Sequence, residues 1–295
     1  MHARSRRDPT QFGRERSGRA GTDRTRRRVS RARRGYADGP FGQIHYQQQG
    51  EGAPLVLLHQ APMTAAQFDN VYAPLAARGI RAIGIDMPGF GQSDPTDVTP
   101  TIADYAQIVP AVLDALGIAR ADVLGHHTGA LVANEAAILF PERVRAIILN
   151  GPLVIDEAER QKYWATGHQW ELNWAEHSGG THFNELFEIR EAFAAGTVPL
   201  ARISDYVVQA LSGKGLFWYG HHAAYQYRQD ERLALVTQPG MILTNTGDII
   251  YPHALAARAI RPDFAFVALE GGGVDIVDQQ PEAWADAVAG FLQGL

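Results

Sequence analysis

The chain alternates short, almost wholly apolar runs with longer amphipathic stretches, and its organisation follows from that rhythm. Leu55-Val56-Leu57-Leu58, Arg81-Ala82-Ile83-Gly84-Ile85, Asp122-Val123-Leu124-Gly125 and the run from Val144 to Asn150 have strand length and little polarity, as strands covered on both faces must. Helical stretches separate them, from Phe68 to Arg78, from Thr101 to Leu116 and from Ala130 to Phe140, the second opened by a Thr101-x-x-Asp104 capping box. Before them, Phe41 to Tyr46 alternates like an early edge strand, with Gly50-Glu51-Gly52 as its turn. The alternation fails between Pro152 and about Leu233, then resumes with strands at Gly240 to Thr244 and Phe264 to Leu269. Strands and helices in this order predict an α/β protein with a mostly parallel sheet, whose ligands bind beyond the strand C-termini. His59, Asp86, His127 and Asn150 all fall at or just past such ends.

Charge divides the chain in two. Residues 1 to 34 hold 13 Arg against Asp8, Glu15 and Asp23, while the total of 295 residues carries a net charge of −5, so the remainder is strongly acidic. The arm has too few apolar residues to offset its ordering entropy, and it is expected to be a disordered, dispensable tail over residues 1–35. The acidic body offers no second basic surface, so no nucleic-acid partner is expected. No apolar run approaches the roughly 18 residues of a membrane helix, and there is no Cys. A cytoplasmic protein of unknown oligomeric state, without membrane partner, is the expectation. At 45% hydrophobic content the chain can bury one core carrying an insertion.

The chemistry centres on Gly125-His126-His127-Thr128-Gly129, which joins an apolar strand to an Ala-rich helix. Small residues two positions either side let a chain turn sharply and lift the middle side chain above the sheet, the shape of a nucleophile elbow. The middle residue is usually Ser and here is His127. In order along the chain come His59-Gln60, Asp86-x-x-Gly89-x-Gly91-x-Ser93, the elbow and Pro141-Glu142-Arg143-Val144. With these four pieces residues 36–295 resemble the α/β-hydrolase superfamily. The resemblance implies a first core part over 36–151, a helical cap over 152–233 and a second core part over 234–295. It also implies that the acid, with a Pro four residues on, is Asp248 before Pro252. The last-loop histidine, counted back from Pro281-Glu282, falls on Val274. Asn245 stands where a Gly usually precedes the acid.

Two of three triad positions are thus altered together. A Ser-His-Asp mechanism needs a hydroxyl to attack and an imidazole to take its proton, and neither group is in place. Thr128 sits one residue past the apex, where the family uses the backbone N–H. If the bridging His becomes Val while the Ser becomes His, the new imidazole projects into the vacated space toward the acid. His127 and Asp248 are therefore the expected catalytic pair, acting by general acid/base chemistry without a covalent intermediate. The backbone of Ala61 and Thr128, with His59 and the Gln60 amide, is expected to form the oxyanion and substrate-binding set.

Four of the five Trp, at 164, 170, 174 and 218, lie in the expected cap. Most of its rings are expected to pack its own thin core, with two or three reaching an apolar or aromatic carbonyl ligand. The cap histidines His168, His177, His182, His221 and His222 lack metal-ligand spacing and are expected to be surface or hydrogen-bonded residues. No cofactor or metal is expected. The functional expectation is a small-molecule hydrolase or lyase. The alternatives are a catalytically silent binding protein and a cofactor-free oxygenase, the latter disfavoured by Val274.

Overall fold

A computed structural model describes residues 32–295, and the expectation for the arm over residues 1–31 lies outside the described residues. The strands are β1 (Arg33–Gly39), β2 (Gly42–Gln49), β3 (Ala53–Leu58), β4 (Ile80–Ile85), β5 (Ala121–His126), β6 (Val144–Asn150), β7 (Gly240–Asn245) and β8 (Ala265–Leu269). They form one sheet in the order β1-β2-β4-β3-β5-β6-β7-β8. The pairs β1/β2 and β2/β4 are antiparallel and the remaining pairs parallel. Flanking helices are α1 (Asp69–Ala77), α2 (Ile102–Ala106), α3 (Ile108–Ala115) and α4 (Thr128–Leu139). Between β6 and β7 come α5 (Glu157–Tyr163), a π-helical turn at Trp164–His168, α6 (Gln169–Leu172), α7 (Thr181–Ala194), α8 (Leu200–Leu211), α9 (Tyr219–Gln226) and α10 (Gln229–Arg232). The chain closes with α11 (Tyr251–Ile260), α12 (Ile276–Gln279) and α13 (Pro281–Gln293).

The apolar strands behave as their composition requires. Val56, Leu58, Val123, Ile147 and Leu149 pack on one face with α3 and α4, and Leu55, Leu57, Leu124 and Ile148 pack on the other with α1 and α13. Both faces are covered, so side chains of alternate parity are equally buried. Among the described residues no helix is long and apolar enough to cross a membrane.

Three expectations change. The early edge strand is internal, because Arg33 to Gly39 pairs outside it, with Tyr36 opposite His45. Arg33 and Arg34, read as part of the arm, belong to this exposed edge, where charged side chains are the usual guard against further pairing. The helix from Thr101 keeps its capping box but breaks at Gln107. Pro110 lacks an N–H and its ring collides with the carbonyl four residues back, so one ladder cannot run through.

The insertion lies across the loops that follow the strands. Gly215 N–H donates to Gly89 O (2.9 Å), and Arg202 donates to the carbonyls of Ala66 and Gln67. Where the chain re-enters the core, buried Glu135 of α4 takes both prongs of Arg232 and the Tyr227 hydroxyl. A paired, bidentate carboxylate tolerates burial that a lone one would not.

Candidate active site

β5 ends at His126, and the backbone reverses at His127 with φ 48 and ψ −112 before α4 begins. This left-handed conformation is costly for any residue with a Cβ, on the order of 1–3 kcal/mol. It is held from both sides, by His127 N–H donating to Asn150 O and Ala130 N–H donating to His127 O, each 2.8 Å. The flanking glycines are obligatory. A Cβ on Gly125 would lie 1.8 Å from Gly129 O, and one on Gly129 would lie 2.1 Å from Leu58 O.

From this apex the imidazole reaches the acid loop after β7. His127 Nε2 lies 2.7 Å from Asp248 Oδ2. Asp248 also accepts the Ile250 N–H on Oδ1 (3.1 Å) and is almost sealed, its side chain 1% exposed against 16% for His127. Burial alone would raise its pKa, but the charge and hydrogen bond of His127, the Ile250 N–H and His126 outweigh it and hold the carboxyl at about 2. An ionised carboxylate is acceptor-only, so Nε2 carries the proton and donates it. Nδ1 is then the nitrogen left for chemistry. Gly151, which sequence reasoning missed, makes room for the ring: it has φ +67, and a Cβ there would lie 2.6 Å from His127 Cδ2. A Gly directly after an apolar strand end was its only signal.

His126, also missed, stands beside the dyad, its ring centroid 4.6 Å from that of His127 and edge to face. Gln67 Oε1 accepts the Gln60 N–H (3.0 Å), which turns the Gln67 NH₂ toward His126 Nδ1 (2.8 Å). Burial, reinforced by His127, pushes the His126 pKa well down, so this imidazole is neutral with its proton on Nε2.

The expected binding set separates into two kinds. The N–H groups of Ala61 and Thr128 make no intramolecular hydrogen bond among the described residues, as an oxyanion site requires. His59 offers no free ring nitrogen. It is fully buried, Met87 N–H donates to its Nε2 (2.9 Å) and its Nδ1–H donates to Gln60 O (2.8 Å). Both nitrogens are consumed and burial pushes its pKa down, so His59 fixes the loops after β3 and β4. Gln60 is buried, with its backbone N–H given to Gln67.

Val274 lies in the loop after β8, and the next residue takes up a new partner: buried Asp275 pairs with Arg190 of α7. Asp278 pairs with Arg202 of α8 and accepts the Tyr206 hydroxyl. Asn245, in place of the usual Gly, donates through Nδ2 to Gly273 O (3.1 Å), tying the acid loop to the last loop. The histidines of the insertion are largely hydrogen-bonded: His221 to Glu171, His168 to His222, and His182 to the backbone of His177. Among the described residues no group of three or more His, Asp or Glu is arranged to hold a metal ion.

The strand order and connections are those of the α/β-hydrolase fold. The family model described as alpha/beta hydrolase fold matches residues 53–175. The chain is 38% identical over 114 residues to 2-hydroxy-6-oxo-6-phenylhexa-2,4-dienoate hydrolase of Comamonas testosteroni, a match covering 37% of this chain and 40% of that relative. The chain therefore spans about two fifths of the length of that curated relative. Among solved structures it resembles E-2-(acetamidomethylene)succinate hydrolase (TM-score 0.73, 20% identity, 89% of this chain and 100% of the other). It also resembles a bromoperoxidase from Bacillus anthracis (TM-score 0.75, 16% identity, 88% and 100%).

Proposed function

We propose that this chain is a cytoplasmic, cofactor-independent enzyme of hydrolase or lyase type, acting on a small apolar or aromatic carbonyl compound through His127 and Asp248. The observation that carries the reading is the 2.7 Å hydrogen bond between an apex imidazole and a sealed carboxylate. Asp248 fixes the tautomer and balances the imidazolium that forms when Nδ1 takes a proton. That proton comes from water, or from carbon beside the substrate carbonyl. The N–H groups of Ala61 and Thr128, with the Gln60 amide, receive the negative charge that develops on oxygen. With no hydroxyl at the apex, no acyl-enzyme forms. The likeness to a hydrolase of 2-hydroxy-6-oxo-6-phenylhexa-2,4-dienoate makes that compound the first substrate to test.

The experiment combines labelling with turnover. A fluorophosphonate should leave the protein unlabelled, and wild type should consume the dienoate or a compound in a metabolite extract that His127→Ala spares. Stoichiometric labelling of a Ser or Thr would overturn the reading. Compounds retained intact by both proteins would indicate a silent binding protein. The double change His127→Ser with Val274→His should bring back weak esterase activity, since it restores hydroxyl and bridging imidazole together.

A further inference from the structure

The two N–H groups read as an oxyanion site stand on separate segments, and each takes its direction from its own peptide plane. The oxygen of the Gln60–Ala61 plane, Gln60 O, accepts His59 Nδ1–H and the Met63 N–H, each at 2.8 Å. The oxygen of the His127–Thr128 plane, His127 O, accepts the Ala130 N–H at 2.8 Å. In a trans peptide the N–H points opposite to the C=O, so both donors are aimed through their carbonyls.

Those bonds leave the spacing between the two planes open. The ladder between β3 and β5 ends at Leu58 opposite Gly125, three residues short of either donor. The side chain of Gln67 spans the gap beyond it. Gln67 is 2% exposed, accepts the Gln60 N–H on Oε1 (3.0 Å) and donates through Nε2 to His126 Nδ1 (2.8 Å). Gln60 immediately precedes one donor, and His126 ends the strand that leads to the other. A backbone N–H can only donate, so a single orientation of the amide serves both partners. Gln67 is itself held: its N–H donates to Thr64 O (2.9 Å), and its carbonyl accepts from Arg202 of the insertion (3.1 Å).

We propose that Gln67 is a positioning residue, whose amide sets the separation of the Ala61 and Thr128 N–H groups so that both reach one oxygen. The inference rests on the reading of those groups as an oxyanion site. Such donors are most effective when neither has to move to meet the charge.

Formate, the smallest carboxylate, is the probe, titrated into the isotope-labelled full chain while amide and imidazole signals are followed by NMR. In wild type the Ala61 and Thr128 N–H signals should shift together with one affinity, and His126 should carry its proton on Nε2. Gln67→Met removes both bonds at similar volume, and His126→Phe removes only the far partner. Each should weaken formate at least about tenfold, the scale of one hydrogen bond to a charged group. The double variant should bind little worse than either single, because both break the same bridge. Additive losses, or wild-type affinity in a Gln67→Met protein that keeps its melting midpoint, would overturn this inference alone. A His126 proton on Nδ1 in wild type would overturn it without any variant. A wild type in which neither amide responds to formate would overturn the oxyanion reading, and this inference with it.

Discussion

Two histidine–carboxylate pairs sit at the C-terminal side of this sheet, and they differ in what surrounds them rather than in their spacing. His45 Nδ1 lies 2.9 Å from Asp86 Oδ2, nearly the spacing of His127 to Asp248. Asp86, however, also accepts the N–H groups of Ala65 (2.7 Å) and Gln92 (3.0 Å), and the His45 N–H donates to Ser93, whose hydroxyl returns to Asp86 O. Together these bonds knit β2 and the loops after β3 and β4. His127 instead stands on a left-handed apex beside a Gly that clears its ring, with one nitrogen held and one left over. The first pair satisfies groups that burial would leave unpaired; the second keeps an unsatisfied nitrogen at a strained position. Backbone strain, rather than proximity, sets the proposed dyad apart from the knot.

Substitution should pull the pairs apart most strongly in turnover. His127→Ala and Asp248→Asn are each expected to lower kcat on the true substrate by on the order of a hundred- to ten-thousandfold. The double variant should be little worse than the poorer single, as for residues acting as one unit. His45→Ala should leave kcat of the folded protein nearly unchanged. Additive losses at the dyad, or an equal loss from His45→Ala, would erase the distinction.

Stability should rank the pairs the other way. Asp86→Ala strands three donors, the His45 ring and the N–H groups of Ala65 and Gln92, and removing one partner of a buried pair costs about 3 kcal/mol, a fall in melting midpoint of roughly 5–10 °C. Thermal unfolding of Asp86→Ala beside Asp248→Asn measures this, and the first should melt clearly lower. The ranking reverses only if the dyad, not the knot, holds the loops together.

How much of this was readable in advance depended on whether the constraint was local. The elbow was legible because Gly125 and Gly129 are demanded by contacts within a few residues and by the neighbouring β3 backbone. Asp248 was singled out by the resemblance, which places an acid with a Pro four residues on, and it lies against His127. Strand β1 was not, because Arg33 and Arg34 carry the composition of the arm and only pairing with Gln47 and Gln48 makes them a strand. Gly151, the Gln67–His126 bond and the Arg190–Asp275 pair join segments far apart in sequence, and no local pattern announces such partners. The hydrogen bonds of His59 were hidden for the same reason. Its position at a strand end was visible, whereas the Met87 N–H that occupies its outer nitrogen was not.

Acid should expose a smaller difference. Asp248 titrates at about 2 in the fold against an ordinary 3.8. A depressed carboxylate contributes stability that is complete above the unfolded value and lost as pH falls through the folded one, so this contribution fades between about pH 4 and pH 2. The shift corresponds to on the order of 2 kcal/mol. Asp86 is also depressed, by His45, the nearby His59 and backbone donors that together outweigh its burial, and it fades in the same direction. Asp248→Asn should therefore flatten, without abolishing, the loss of unfolding free energy over that window. Denaturant titrations at pH 4 and pH 2.5 measure it, and an unchanged slope would remove Asp248 from the acid response.

The smallest effect isolates the strain. His127→Ala and His127→Gly both delete the imidazole and leave Asp248 equally unpaired, so their difference contains only what the backbone conformation costs a residue with a Cβ. At φ 48 glycine fits freely and alanine does not, although glycine gives back part of that advantage through its greater freedom in the unfolded chain. His127→Gly should accordingly be more stable than His127→Ala by about 1 kcal/mol, read as a difference in denaturant midpoint at constant slope. The equivalent comparison at His45, alanine against glycine on an ordinary strand, should favour alanine, because glycine weakens a strand interior. Opposite signs at the two histidines would place the strain at the dyad alone. The same sign at both would mean that the apex is relaxed and that backbone strain does not set His127 apart.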